Sequence, residues 1–278
     1  MPAEGEAEFG ENSPMAAIQS AGVLRIAVPA ERPPFASGDS PEVEGFTVDL
    51  ARELADRLEV ELSVATLSVD EMQEAVGGSD PTEFGDGTVD IAFTLEPLTQ
   101  ELYKITSQEQ GFEVTTPYYV AHQRLLVRDE QTENLEDLDG ATVCSILHPV
   151  AGVPVDELVD GAEVKAATTP MNCARAIVQN DAEAMTAFDD VLLTTKALLD
   201  SGGVDMEIVG DQLATAGYPL IVDQGMAGYV SGVLNEIEEA GAWTQAYEDW
   251  IQGLSGAEAV PPEITLEDAA AIYPVETS

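Results

Sequence analysis

Positive charge is what this chain most lacks. Its 278 residues hold 10 lysines and arginines against 53 aspartates and glutamates, a formal charge of −43, and lysine stands only at 104, 165 and 196. A surface of that sign repels phosphate backbones and anionic head groups, which excludes nucleic acid and acidic lipid as partners. Long apolar runs are missing as well: no stretch approaches 18 consecutive apolar residues, so nothing reads as a membrane-spanning helix. No signal peptide is visible, and residues 1–14, acidic and polar with glycine and proline, are expected to form a flexible leader. There is no Ser-His-Asp order, no glycine-rich phosphate loop, no His-Glu-x-x-His and no Cys/His metal spacing, so no cofactor or metal is expected. Histidine is limited to His122 and His148, and cysteine to Cys144 and Cys173.

The acids are spread along the whole length without a run of five. That spread favours a solvated anionic surface suited to high salt, where counter-ions screen self-repulsion, over a cluster that gathers a cationic ligand or metal. With 45% hydrophobic residues the chain is globular, and it is long enough for one large domain or two modest ones.

An apolar run, Val23 to Val28, reads as a buried strand. Arg32-Pro33-Pro34-Phe35 follows as a rigid turn, and Gly45 to Leu58 as an amphipathic helix. Leu50, Leu54, Ala55 and Leu58 recur at helical spacing, with Arg52, Glu53, Asp56 and Arg57 on the other faces. Strand, loop and helix open an α/β unit, and ligands in such sheets bind beyond the strand's carboxyl end. The loop at 29–46 is therefore a candidate ligand wall. Further strands are expected at 60–65, 88–94 and 120–127, with helices near 69–76 and 100–109 and a glycine- and acid-rich surface insertion at 77–87. A second α/β block follows: strands near 141–146, 162–167, 183–187 and 206–209, and helices near 153–159, 171–179 and 189–200. Residues 218–222 read as a return crossover, and helices near 225–239 and 241–253 complete the first unit.

The wording of these stretches is more specific than their pattern. Gly45-Phe46-x-Val48-Asp49-Leu50, placed after the Pro-Pro-Phe turn, resembles the extracellular solute-binding proteins of the polar amino-acid import family, the bilobed receptors of ATP-driven importers. The likeness continues through Val89-Asp90-Ile91-Ala92, Thr116-Pro117-Tyr118-Tyr119 with Gln123 to Val127, Leu135 to Val143, Phe188 to Leu193, and Gly241 to Trp250. It implies an α/β fold of type II topology with two lobes, each a mostly parallel sheet flanked by helices, joined by two hinge strands. Lobe 1 would be residues 15–119 plus 223–278, and lobe 2 residues 120–222. The function implied is reversible capture of a small polar solute by hinge closure, handed on to a membrane permease. The protein would be monomeric and extracytoplasmic, secreted or lipid-anchored, with its signal sequence and a lipid-bearing cysteine removed. An even cysteine count in an exported chain favours a Cys144–Cys173 disulfide over a reactive thiol pair, and the likeness here is to the glutamate-type receptors of Gram-positive bacteria. A sensor domain reporting to a membrane partner, and a dehydratase-like enzyme with Glu96 or Asp189 as its acid, are the alternatives on the same fold.

The ligand-facing set that the resemblance implies is Phe35, Thr94, Glu96, Thr99, Tyr118, His148 and Asp189. Phe35 would pack on the ligand and Asp189, beside Asp190, would take its ammonium. Several readings stay open: Asp189 as the N-cap of the following helix, Glu96 as a solvent-facing loop acid, His148 as a surface histidine. The family's carboxylate-binding arginine is absent, because Leu102 stands in its place. The lobe-two loop also reads Leu147-His148-Pro149-Val150, and Pro149 has no amide to donate. Three explanations follow. Arg32, Lys104 or Arg124 supplies the charge; or the solute is a cation or zwitterion held by Glu96, Asp189, Tyr118 and Phe35 through charge and cation–π contact; or the receptor has turned to another partner.

Overall fold

The computed structural model describes residues 9–10, 13–29, 31–38, 42–67, 89–95, 97–99, 112–128, 132–146, 154, 161–263 and 265. The expected helices at 69–76, 100–109 and, apart from Pro154, 153–159, and the insertion at 77–87, lie outside the described residues.

Two long strands organise the molecule. β4 (Phe112–Val127) and β8 (Glu207–Asp223) run antiparallel from Phe112 opposite Asp223 to Val127 opposite Glu207. On the β8 side lie β3 (Ile91–Phe93), β1 (Val23–Pro29) and β2 (Glu61–Leu67); on the β4 side lie β7 (Ala184–Phe188), β5 (Thr142–Ile146) and β6 (Glu163–Ala167). The order β2-β1-β3-β8-β4-β7-β5-β6 makes one curled eight-stranded sheet. β1 is parallel to both neighbours, as is β5, and each trio meets its long strand antiparallel. The expected mostly parallel α/β architecture is therefore what the chain adopts.

One difference concerns β8. The sequence reads as a strand near 206–209 and a separate return crossover at 218–222. Instead β8 continues through a bulge, in which pairing passes from Gln123 opposite Ala214 to Leu125 opposite Val209. Gly210 takes the left-handed conformation there, φ 84°. Arg124 spans the irregularity, donating to the carbonyls of Gly210 (3.3 Å), Ile208 (3.2 Å) and Ser255 (3.1 Å). The guanidinium thus gathers three backbone carbonyls, two from β8 and one from the helix end at Ser255.

The opening motif owes its glycine to a close approach. The turn at 32–36 docks on the N-terminus of α2 (Phe46–Leu58): the amides of Phe46 and Thr47 donate to Pro34 and Phe35 carbonyls at 3.0 Å, and Thr47 Oγ1 donates to Phe35 at 2.7 Å. Gly45 sits at φ 138°, and a Cβ there would lie 2.4 Å from the Phe35 oxygen. α2 then buries Phe46, Val48, Leu50, Ala51, Leu54, Ala55 and Leu58. Phe46 meets Phe35, Tyr119, Trp243 and Tyr247 edge-on in one aromatic cluster.

Of the expected flexible leader, residues 9–10 and 13–14 are among the described residues. Phe9 packs edge-on against Tyr229 with centroids 4.9 Å apart, and Ser13 caps α1 (Pro14–Ala21) by accepting from the Ala16 amide. Helices α3 (Pro170–Val178), α4 (Asp189–Ser201), α5 (Ala227–Glu239) and α6 (Ala242–Tyr247, continuing through a π turn to Ser255), with a short 3-10 turn at Leu135–Leu138, complete the described helices. No described helix is long and apolar enough to cross a membrane.

Cys144 on β5 and Cys173 on α3, both fully buried, form the expected disulfide across a sequence separation of 29. Closing a loop of that size stabilises by about 3–4 kcal/mol in the chain-entropy model. Replacing both cysteines with alanine is expected to lower the midpoint of a reversible thermal melt by about 6–15 °C. Gly45→Ala is expected to cost about 2–4 kcal/mol, since it adds a side chain at positive φ against fixed backbone oxygens. Chemical denaturation measures that loss, and an unchanged midpoint would show that the turn–helix docking is not rigid.

Candidate functional site

The carboxyl ends of β1 and β7 converge near the crossing of β4 and β8. From β1 comes the turn at 32–36; from β7 comes the start of α4, Asp189-Asp190. Arg32 Nη2 reaches Asp190 Oδ2 at 3.0 Å, joining the β1 side of the sheet to the β7 side. The Asp190 side chain is 1% exposed and that of Arg32 24%. Tyr218 on β8 donates its hydroxyl to Asp190 Oδ1 at 2.7 Å, and Asp190 also accepts from the Val191 amide. Arg32 Nε is buried and has no hydrogen-bond partner among the described residues.

Asp189 has different company. It accepts from the Tyr119 hydroxyl at 3.1 Å and from the His122 backbone. It lines a cavity of about 440 Å³ together with His122, Arg124, Trp243 and Tyr247, bordered by the segment 257–260. The Trp243 and Tyr247 rings stack at 5.3 Å, and Trp243 Nε1 donates to the Tyr118 carbonyl at 2.8 Å. His122, held down in pKa by burial and by Arg124, is a neutral imidazole at pH 7, its Nδ1 3.3 Å from Thr215 Oγ1.

Two adjacent buried carboxyls cannot both ionise freely. Burial, then the Asp190 charge, pushes Asp189 up to about 8, against hydrogen bonds that favour its anion. Burial raises Asp190 as well, and Arg32 and Tyr218 pull it back. At neutral pH the cluster therefore holds a protonated Asp189 and an ionised Asp190 balanced by Arg32.

The expected site residues divide among three places. Phe35 and Tyr118 are fully buried. Phe35 packs edge-on against Tyr119 at 5.3 Å and Tyr118 against Phe93 at 5.0 Å, so in this conformation neither ring offers a face to a solute. The Pro-Pro-Phe turn points its ring inward under α2 and presents Arg32 outward instead. Thr94 is buried beside the crossing, its carbonyl accepting from Tyr118 at 2.8 Å, and Thr99 is half-buried on the same loop. Glu96, His148, Leu102 and Lys104 lie outside the described residues. Asp189 is not the helix cap: Phe188 holds that position and Asp189 is the first helical residue. Of the three bases proposed to supply a missing charge, Arg124 is committed to carbonyls and Arg32 faces the carboxylate pair. Tyr218 and Tyr119 had no sequence signal beyond lying on the crossing strands.

The folded pair's raised carboxyl pKa has a direct consequence. The folded chain keeps a proton that the unfolded chain gives up above pH 4, so this group's effect is absent below that pH and stability declines as pH rises to about 8. Asp189→Asn removes the titration. Its stability relative to the wild type is expected to climb between pH 4 and 8 and level off beyond, measured by urea unfolding across pH. A pH-independent difference would contradict the assignment.

The sequence matches the family described as bacterial extracellular solute-binding proteins, family 3, over residues 24–253. A glutamate-binding protein of Corynebacterium efficiens is 34% identical over 79 residues, 27% of this chain and 27% of that protein, so the match spans about a quarter of the curated relative's length. Among solved structures, an ancestral cationic amino acid solute-binding protein superposes with a TM-score of 0.65 at 21% identity, covering 86% of this chain and 99% of that one. An ancestral arginine-binding protein bound to arginine gives 0.57 at 23% identity, over 83% and 98%.

Proposed function

The chain belongs to the bacterial extracellular solute-binding proteins of family 3, and we propose that it captures a small zwitterionic or cationic, amino-acid-like solute between two lobes by hinge closure. Lobe 1 in this reading is residues 15–119 plus 223–278, and lobe 2 is residues 120–222. The observation that carries the reading is the meeting of the β1 turn with the α4 carboxyl pair across the β4–β8 crossing. Charged groups from both sides of the sheet converge there, next to the two strands that connect those sides. A solute touching both lobes stabilises their closed arrangement, and a few backbone angles in the paired strands absorb the motion.

The similar proteins support a shared head group. One is a glutamate-binding protein and another an arginine-binding protein. Glutamate and arginine carry opposite side-chain charges and have the α-ammonium and α-carboxylate in common. The disulfide supports an oxidising location outside the cytoplasmic membrane, secreted or lipid-anchored. The partner is the permease of an ATP-driven importer, the receptor acts as a monomer, and its work is binding without turnover.

Thermal-shift titration with glutamate, glutamine, aspartate, arginine, glycine betaine and a polyamine tests this. A member of the panel present at 100 times its dissociation constant is expected to stabilise by about 2.7 kcal/mol, a shift of about 5–11 °C. A panel that leaves the melt unmoved at millimolar concentrations would remove the receptor reading.

A further inference from the structure

We propose that residues 256–263 form a strap across the hinge, docked along the β4–β8 ladder when the two sides of the sheet are joined as they are here, and that Glu238 and Glu263 form the latch at its far end. The proposal takes its hinge from the receptor reading and adds a device that sets how readily the hinge closes.

Placement comes first. The family match ends at residue 253, so the strap lies beyond the part shared with the family. Gly256 adopts the left-handed conformation, φ 64°, and turns the chain out of α6. Arg124 on β4 holds the Ser255 carbonyl at 3.1 Å, and the Ala257 amide donates to Ser255 Oγ at 3.1 Å. From that anchor Ala257, Glu258 and Val260 border the 440 Å³ cavity, together with Gly210 to Gln212 of β8. Farther on, Pro262 and Glu263 border a second cavity of about 310 Å³ with Thr116 and Pro117 of β4 and with Glu238 of α5. Gly210 lies near the part of the ladder that carries β7, and Pro117 near the part that carries β3. The strap thus has one end on each side of the sheet.

Its attachment is light. Ala259 packs against the core and the Pro261-Pro262 pair stiffens the run, yet residues 258–263 form no hydrogen bond among the described residues. Two carboxyls, Glu238 and Glu263, border the same cavity at the far end. Burial, then the charge of Glu263, pushes Glu238 up to about 7. The other charged groups packed against α5 are engaged elsewhere. Arg57 of α2 pairs with Glu236 at 3.4 Å, and Glu113 of β4 accepts from the Ala227 amide at 3.1 Å. The α6 segment Ala242–Tyr247 carries no charge, and neither do Thr116 and Pro117. A proton on Glu238 therefore favours the docked strap, and docking weakens as pH rises from the ordinary carboxylate range through about 7. A strap docked at both ends favours the joined arrangement, in which Arg32 of one side meets Asp190 of the other.

Spin labels on the solute-free protein test this. Both native cysteines are bridged to each other, so an added cysteine is labelled alone. A nitroxide at Val260→Cys, a position 71% exposed, reports attachment of the strap. Double electron–electron resonance between Asp56→Cys and Asp205→Cys reports the separation of the two sides. The Val260 label is expected to gain mobility between pH 5 and 8, and Glu238→Gln to abolish that pH dependence. Glu263→Lys, a charge reversal at an exposed residue, is expected to keep the strap docked at pH 8. It should also shift the ratio of the interlabel distance populations about 2–5-fold, an effect that 1 M salt removes. Ala259→Glu is expected to free the strap and shift the same ratio the other way; if it does not melt cooperatively, Glu263→Lys carries the test. A label whose mobility ignores pH and Glu263→Lys overturns the proposal, as do distance populations that ignore the strap variants. If those populations ignore the strap but respond to a solute that calorimetry shows to be bound, the strap falls and the receptor reading stands. If they follow the strap while nothing in the thermal-shift panel binds, the strap stands and the receptor reading falls.

Discussion

Everything in this molecule depends on the pairing of β4 with β8. The two strands are the longest among the described residues and hydrogen-bond to one another along most of their length, each carrying a parallel trio on its outer edge. A sheet built this way has a continuous backbone ladder through its middle and no close packing requirement between the outer trios. The bulge at Gly210 and the register shifts around Pro117 break the regularity of the ladder where it passes between them. Arg32, Asp189 and Asp190 gather beside that stretch of the ladder.

Scarcity of cations gives the charge arrangement its meaning. With acids outnumbering bases by 53 to 10, a buried carboxylate has few possible partners. Arg25 on β1 holds Asp90 beside β3, Lys196 pairs with Asp200, and Lys165 with Asp181. Those pairs lie within one side of the sheet. Arg32 with Asp190 is the described pair that ties the sides together at the crossing, and it is also the least exposed carboxylate among the described ion pairs. Next to it, burial and then the charge of Asp190 raise the pKa of Asp189 to about 8, so it holds its proton at neutral pH. The wider surface, rich in acids and poor in partners, is consistent with a setting in which salt screens self-repulsion.

The fold was legible because its signals are local. Periodicity marked α2, the parallel strands and the helix at 189–200, and Gly45 is needed where the turn docks on α2. Element edges failed where the deciding interaction was long-range: β8 is continuous because β4 and Arg124 support it through the bulge at Gly210. The site was legible only in part for the same reason. Asp189 and Asp190 stand out as a pair, yet which carboxyl faces the cleft depends on where Tyr119, Tyr218 and Arg32 fall in three dimensions. Phe35 was drawn to the ligand by its place in the turn, while the packing of Phe46 against it draws it into the core. Arg32, three residues earlier, was one of three candidate bases, and its contact with Asp190 separates it from Arg124.

The central claim is that two lobes close on an amino-acid-like solute. Double electron–electron resonance between spin labels at Asp56→Cys on α2 and Asp205→Cys beyond α4, both exposed positions, reads that motion directly. Saturating solute is expected to replace a broad or bimodal distance distribution with a single narrower one. A distribution unchanged by a solute that calorimetry shows to be bound would contradict the account.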